Sequence, residues 1–265
     1  GGAIGLELGQ AFSRFGTEVT VVEGGPRLLP LEEPEAGATI AEVFREEGIG
    51  VLTGVSVDRV AYSNGVFSVE ASGTEVRATN LLIATGRRAS PAAVGAETIG
   101  VPADARALPV DGQLRVAGVD GVWAVGDITG KGAFTHVAVY QARIAVRDIL
   151  GDPGPSADYA ALSRVTFTDP EVGSVGLSEE QARRDGLNVA VGFTTTASSS
   201  RGWIHKAGNA GFIKVVADMD SGVLVGATSC GPVGGEVLGA LAVAVSARVP
   251  IETLRHMIYA YPTFH

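Results

Sequence analysis

The sequence predicts an α/β fold in which parallel strands end at ligand-facing turns, followed by a smaller α+β portion. Three observations lead there. The chain opens on a glycine turn, Gly2-Ala3-Ile4-Gly5, that runs into a helical pattern and then into a strand ending at Glu23. Two later apolar runs, Leu81-Leu82-Ile83-Ala84-Thr85-Gly86 and Gly121-Val122-Trp123-Ala124-Val125-Gly126-Asp127, read as buried parallel strands, whose carboxyl ends face ligands in open sheets. Beyond the Pro/Gly-rich stretch Gly151-Asp152-Pro153-Gly154-Pro155-Ser156, alternating strands and apolar helices fill the remainder.

Composition narrows the function. Hydrophobic content of 46%, with 37 Gly, 12 Pro and 18% charged residues, describes a soluble, core-forming chain. A net charge of −9 and the lack of any Lys/Arg-rich stretch argue against a nucleic-acid partner. No apolar run reaches the ~18–20 residues that span a bilayer. The opening Gly-Gly and helical pattern carry no sign of a secretory leader. The single cysteine, Cys230, fits a reducing cytoplasm and excludes a two-cysteine redox centre within this chain. It reads as buried, inert packing, and no metal site is assigned.

In chain order, Gly2 to Gly5 read as the tail of a Gly-x-Gly-x-x-Gly turn whose first glycine falls one residue before Gly1. Such glycines make the tight turn, admit a pyrophosphate and let helix and strand pack closely. The helix N-terminus adds free N–H groups and partial positive charge for phosphates. The helix runs through Phe12 and Phe15 to a stop at Gly16. Glu18 to Glu23 form the next strand, with its acidic end about 20 positions after the turn. A carboxylate there accepts bonds from ribose hydroxyls and repels a 2′-phosphate, so Glu23, followed by Gly24, Gly25 and Pro26, favours NAD over NADP. Glu7, early in the helix, is expected near the nicotinamide end.

A helix over Pro34–Glu47 closed by Gly48, and a strand Gly50-Val51-Leu52, come next. Segments 55–60, 66–71 and 75–77 alternate as a meander, with Asn64-Gly65 and Ser72-Gly73 as turns. The run 81–86 is expected as a central strand. After a loop over 90–109, Val110 to Leu114 look like a hairpin, and the next strand ends at Gly126-Asp127, where an Asp carboxylate suits a ligand hydroxyl. A helix starts at Thr135-His136-Val137-Ala138 and runs through Ile149, with His136 an uncharged turn residue. Ser178 with Gln181 marks a capped helix start. Strands 188–193, 211–217 and 222–228 and helices 235–247 and 251–258 complete the pattern, and their broad apolar face fits a symmetric homodimer.

Taken together, the glycine turn, Ala84-Thr85-Gly86-Arg87, the strand to Asp127, the stretch Val165 to Gly176 and the closing Tyr261-Pro262 resemble the pyridine nucleotide-disulfide oxidoreductase family. That family includes the flavoproteins lipoamide dehydrogenase, mercuric reductase and glutathione reductase. The resemblance covers essentially the whole chain, as a C-terminal fragment of such an enzyme. It implies a Rossmann-like NAD-binding domain over 1–85 lacking its first strand, the C-terminal part of an FAD-binding domain over 86–155, and a dimerisation domain over 156–265. Gly2, Ala3, Ile4, Gly5, Leu6, Glu7, Glu23 and Gly86 would then face NAD. Gly126, Asp127 and Ala138 would face FAD, with Asp127 on a ribityl hydroxyl and the helix amides at the flavin pyrimidine edge. The family's adenine-binding glycine turn and its Cys-x-x-x-x-Cys pair lie upstream of any residue here.

The closing segment departs from the family. A His normally precedes this proline and takes the proton of a thiol, held by a Glu further along. Here Tyr261 stands in its place, and the chain ends before the Glu position. With an ordinary pKa near ~10, Tyr is a poor base at neutral pH but a competent donor. Tyr261 is therefore the catalytic candidate, and His265 reads as a surface or packing residue. The function implied is hydride transfer between a nicotinamide cofactor and flavin, as in dihydrolipoyl dehydrogenase. The final acceptor stays open among a disulfide, a metal ion, a quinone and another dinucleotide. The alternatives are a non-catalytic dimerising module and a cysteine-independent transhydrogenase or acceptor reductase.

Overall fold

In the computed structural model, which describes residues 1–152 and 154–265, Gly2 is the N-cap of helix α1 (Ala3–Arg14). Pro153, inside the predicted linker, lies outside the described residues. Glycine ends the helix as expected: Gly16 takes φ 91°, its amide bonds the Ser13 carbonyl and the Thr17 amide returns to Phe12. Strand β1 (Thr20–Glu23) follows, then α2 (Pro34–Glu46) with proline in its first turn and Gly48 at φ 80° beyond its end. Strand β2 (Gly50–Thr53) pairs with β1 in parallel, Thr20 opposite Gly50 and Glu23 opposite Thr53. Leu6, Val21, Leu28, Ile40, Phe44 and Ile49 close the core between these elements.

The meander forms as its turns dictate. Strands β3 (Val57–Ser63), β4 (Val66–Ala71) and β5 (Thr74–Ala78) pair antiparallel in that order. Both connecting pairs, Asn64-Gly65 (φ 51° and 80°) and Ser72-Gly73 (φ 47° and 83°), have the two positive φ values of a type I′ hairpin turn.

The run 81–86 departs from expectation. It forms no strand, because a strand exists only through ladder partners and this run has none among the described residues. Leu82 and Ile83 accordingly stay 49% and 73% exposed. Ala84 turns toward α1, where a Cβ added to Gly5 would lie 3.3 Å from its own Cβ.

The chain divides into two units, Gly1–Thr85 with Ala160–His265, and Gly86–Tyr159. In the second, the loop after Ser90 folds into short 3-10 turns, Pro91–Val94 and Ala96–Ile99, over a core of Ala96, Val101, Leu108, Val116 and Ala124. The predicted hairpin is tight: Asp111 Oδ1 accepts the amides of Gln113 (2.8 Å) and Arg115 (2.9 Å), and Val110 bridges Val116. The segment 121–127 is not the parallel strand expected. It runs antiparallel to the hairpin, with the Val116 amide on Val122 (2.9 Å) and the Ala124 amide on Leu114 (3.0 Å), then enters a 3-10 turn, Gly126–Thr129. The hairpin offers the nearest open edge, and antiparallel pairing needs only a short connection. Helix α3 (Thr135–Ile149) follows, with Val137, Gln141, Ile144 and Ala145 buried.

The chain then builds a five-stranded antiparallel sheet in the first unit. Its elements are β6 (Ser163–Thr166), β7 (Glu171–Gly176), α4 (Glu179–Arg184), β8 (Val189–Thr195), α5 (Ser200–His205), β9 (Phe212–Asp218), β10 (Val223–Gly231), α6 (Gly234–Ser246) and α7 (Ile251–His256). The strand order is β6-β7-β10-β9-β8. Alternation splits the sheet's side chains. Val175, Ala217, Leu224 and Ala227 pack on Leu238, Ala244 and Val245 of α6, whereas Val172, Phe212 and Cys230 join the core with Leu6, Ile40 and Phe44. Ser178 and Gln181 form the predicted capping box. Helix α7 stops short of the predicted Ile258, which is fully exposed, since α7 buries no residue that would hold another turn. Helix α5, unpredicted, is capped by the Ser199 hydroxyl on the Gly202 amide at 2.9 Å.

Candidate functional site

Two glycine turns, each leading to a helix whose N-terminus lacks a side-chain cap, carry most of the predicted residues. At the first, Gly2 caps α1 with its own backbone, no acidic residue occupies the first turn, and a Cβ at Gly2 would meet nothing within 4 Å. The first amides of such a helix lack intrahelical partners and carry partial positive charge. Glu23, at the end of β1, accepts the Gly25 amide at 2.5 Å. Partial burial opposes its charge, and the Gly25 amide favours it. Arg27, the nearest cation in sequence, is committed elsewhere, to the carbonyls of Leu29 (2.8 Å) and Pro30 (2.9 Å).

One face of α1 is tied to the loop before β7. The Glu7 carboxylate accepts the Phe167 amide (2.8 Å), Gln10 exchanges bonds with the Asp169 amide and carbonyl (both 2.8 Å), and Arg14 meets Asp169 (2.9 Å) and Glu47 (2.6 Å). The spacing along the helix puts all three on the same side.

The second turn lies in the other unit. Gly126 takes φ 81°, where a non-glycine residue is strained, and a Cβ there would sit 3.5 Å from that of Ala138. Asp127 stays half-exposed, 3.4 Å from Arg87 Nη1, while Arg87 Nη2 donates to the Ala133 carbonyl at 2.7 Å. Gly86, adjacent to Arg87, has φ 110°. Helix α3 follows the N-cap Phe134 with no side-chain cap and no acidic first turn, and the His136 ring stacks on Phe134 at 5.2 Å. Gly126, Asp127 and Ala138 thus come together, with Arg87 beside them.

Tyr261 lies in the irregular closing segment, where its hydroxyl donates to Ser200 Oγ at 2.9 Å. Phe264 packs edge-on to His205 (6.4 Å) and under the Arg201 guanidinium (6.0 Å). Cys230 is wholly buried, and that burial pushes its thiol up to about 12 despite a bond with the Phe212 backbone.

Residues 1–142 match the family model described as pyridine nucleotide-disulphide oxidoreductase, and residues 162–265 match the dimerisation domain of the same family. The chain belongs to the pyridine nucleotide-disulphide oxidoreductase family. It is 34% identical to the dihydrolipoyl dehydrogenase of Geobacillus stearothermophilus over 99% of its own length and 56% of that enzyme. It is also 34% identical to the mercuric reductase of Acidithiobacillus ferrooxidans, over 98% of its length and 47% of that protein. Among solved structures, an HOCl-induced flavoprotein disulfide reductase, RclA of Escherichia coli, in a Cu(II) complex, superposes with a TM-score of 0.87 at 28% identity, covering 98% of this chain and 59% of that one. LpdA of Mycobacterium tuberculosis gives 0.87 at 25%, covering 99% and 57%. The chain therefore spans just over half the length of the dihydrolipoyl dehydrogenase and of these solved chains, and somewhat less of the mercuric reductase.

Sequence reasoning missed two structural features of this family member. Gln141, with no exposed surface, accepts the Gly126 amide at 2.6 Å and donates to Thr129 Oγ1 (3.0 Å) and the Tyr159 hydroxyl (2.9 Å), so it shapes the turn that carries Asp127. Its signal was a lone polar residue among Val137, Ile144 and Ala145 on the buried face of α3. The second is Lys214 of β9, 3% exposed, which meets Glu33 (2.9 Å), Glu35 (2.8 Å) and Glu179 (3.0 Å). Beside it Arg164 pairs with Glu32 at 3.0 Å, and Ser174 also bonds Glu32. No pattern in the sequence links those positions.

Proposed function

We propose that this chain supplies the nicotinamide-binding part (residues 1–85), the C-terminal part of the flavin-binding part (86–155) and the dimerisation part (156–265) of an FAD-dependent NADH oxidoreductase acting as a homodimer. The observation that carries the reading is the pair of uncapped helix N-termini, each behind a glycine turn with a carboxylate close by. Glu23 beside Gly2 and Asp127 beside Gly126 each offer an acceptor for hydroxyls, and the helix ends offer unpaired amides for a phosphate or a ring edge. Both sites fit the groups the family uses. Gly2, Ala3, Ile4, Gly5 and Leu6 would hold the NAD pyrophosphate, with Glu7 and Gly86 toward the nicotinamide. Gly126, Asp127 and Ala138 would hold the ribityl and pyrimidine parts of FAD. Bound there, nicotinamide and flavin supply hydride transfer toward an acceptor, of which a disulfide is one candidate.

The chain's own residues contribute selection and orientation. Glu23 accepts ribose hydroxyls and repels a 2′-phosphate, and Arg27, the nearest side-chain cation in sequence, is spent on backbone carbonyls. This supports NAD over NADP. Asp127, oriented by Arg87 and by the Gln141 network, accepts a ribityl hydroxyl. Tyr261 would stand where one protomer completes its partner's site.

The test is flavin and nucleotide content. The complete protein that contains this chain should carry FAD, Asp127→Ala should lose most of it, and NADH should titrate with a defined stoichiometry. Protein that dimerises yet binds neither FAD nor NADH would reduce this chain to a dimerising module.

A further inference from the structure

The loop between β1 and α2, residues 24–33, follows Glu23 at one end and enters a knot of ion pairs at the other. Midway along it, Leu29 takes φ 49°, a left-handed conformation that a bulky residue keeps only under constraint, and its side chain is buried. Its carbonyl accepts two donors, Arg27 Nη1 at 2.8 Å and the Glu32 amide at 3.0 Å. Arg27 Nη2 reaches the next carbonyl, that of Pro30, at 2.9 Å. The guanidinium is folded back on its own loop.

The constraint comes from the five-stranded sheet. Arg164 of β6 grips the Glu32 carboxylate with two bonds, Nε to Oε1 and Nη2 to Oε2, both 3.0 Å. The Ser174 hydroxyl of β7 donates to Oε2 as well. The Arg164 and Glu32 side chains are only 19% and 10% exposed, so water and salt screen the pair little. Next to it, Glu33 accepts Lys214 of β9 at 2.9 Å and the Glu179 amide at 2.6 Å. A two-pronged pair fixes orientation as well as distance. Glu32 is therefore held in place, and through its amide so is the Leu29 carbonyl that Arg27 occupies.

Arg27 also starts close to Glu23. A Cβ on Gly25 would lie 3.0 Å from Glu23 Oε1 and 3.8 Å from the Arg27 carbonyl oxygen. A guanidinium released from Leu29 and Pro30 thus comes within reach of the ribose that Glu23 serves. There it would match a 2′-phosphate in two-pronged fashion, the group that Glu23 repels.

Resting on the nucleotide reading above, we propose that the Arg164–Glu32 pair determines nucleotide specificity by holding Leu29 so that Arg27 stays on loop carbonyls, withheld from the 2′ position. Arg164 and Glu32 are positioning residues, and Arg27 is the group they withhold. The dimerisation part of the chain thereby sets which dinucleotide the nicotinamide-binding part accepts.

The experiment titrates the complete protein that contains this chain, by calorimetry, with ADP-ribose and with 2′-phospho-ADP-ribose. Neither probe depends on flavin chemistry. The unaltered protein should bind ADP-ribose more tightly. Glu32→Gln combined with Arg164→Met removes the grip without stranding a buried charge, and the Gln carbonyl still accepts from Ser174. That pair should tighten 2′-phospho-ADP-ribose binding by about five- to tenfold, the worth of a charge-assisted hydrogen bond at a partly exposed site. The Kd for ADP-ribose should stay within about twofold. Arg27→Gln alone should leave both constants in place, yet added to the paired variant it should abolish the gain, which a merely loosened fold would not do. If the paired variant does not fold, Arg164→Lys, which keeps the charge and loses the fork, carries the same test with a gain of about twofold. Equal weakening of both probes, an unchanged ratio, or a gain that survives Arg27→Gln overturns the inference. If the unaltered protein binds neither probe, the nucleotide reading itself fails and this inference falls with it.

Discussion

Gln141 and Gly126 are joined by a 2.6 Å hydrogen bond from the backbone amide of a left-handed glycine to a side chain with no exposed surface. The other end of the same amide is spent on Thr129 and Tyr159. Removing it orphans the buried Gly126 N–H and takes one bond each from the Tyr159 and Thr129 hydroxyls, of which Thr129 keeps its bond to the Gly126 carbonyl. Gln141→Leu should therefore cost about 1–3 kcal/mol, the penalty of an unsatisfied buried group, read by urea denaturation. Flavin retention should fall with it, because Asp127 follows Gly126 directly. Unchanged stability in that variant would mean that the network contributes nothing.

Lys214, itself buried, holds three carboxylates, of which Glu33 is buried and Glu35 and Glu179 are partly exposed. Burial opposes its charge, but Glu35, Glu33 and Glu179 raise its pKa above the ordinary lysine value, so it stays protonated at every working pH. Lys214→Met leaves those carboxylates facing one another and should destabilise by about 3–5 kcal/mol in a denaturant titration. Glu33→Gln should cost less, since its carbonyl still accepts from the ammonium.

The same cluster sets part of the acid response. Bonds from Lys214 first, then Arg183, hold the Glu179 carboxyl below its ordinary value of 4.5. A depressed folded value means that folding favours the charged form. The stabilisation is complete above pH 4.5 and is lost as pH falls through the lower folded value. Glu179→Gln should flatten the stability-against-pH curve below pH 4.5 and leave its slope near neutrality unchanged, which thermal melts across a pH series will read.

Cys230 is predicted to be silent. Burial places its thiol near pKa 12, so the reactive thiolate is scarce and the sulfur inaccessible. A chromogenic disulfide reagent at mildly alkaline pH should find no thiol in the native protein and one per chain in denaturant. Rapid native labelling would contradict the packing of β10.

Glu23 should decide nucleotide preference. Glu23→Ala removes an acceptor for ribose hydroxyls, at a cost of roughly tenfold or more in NADH affinity, and it lifts the repulsion of a 2′-phosphate. Calorimetric titrations with NADH and NADPH should converge in the variant. An unaltered ratio would remove Glu23 from the site.

What the sequence determined by itself was whatever depends on neighbours in the chain. Gly16 and Gly48 ended their helices, Asn64-Gly65 and Ser72-Gly73 closed hairpins, and Ser178 with Gln181 capped α4, because φ preferences and contacts between close neighbours in the chain need no distant partner. The family was legible for a related reason: its glycines and acidic ends sit at fixed short spacings. Only the tertiary structure decided what depended on a distant surface. Apolar content alone made 81–86 and 121–127 look like parallel strands, but a ladder needs an available edge. The first run found none among the described residues, and the second found the hairpin beside it. The Gln141 network, the Lys214 cluster and the Ser200–Tyr261 bond join residues between 12 and 181 positions apart. Hydrogen bonds and ion pairs of that kind leave no periodicity along the chain, so they appear only once packing brings the partners within reach.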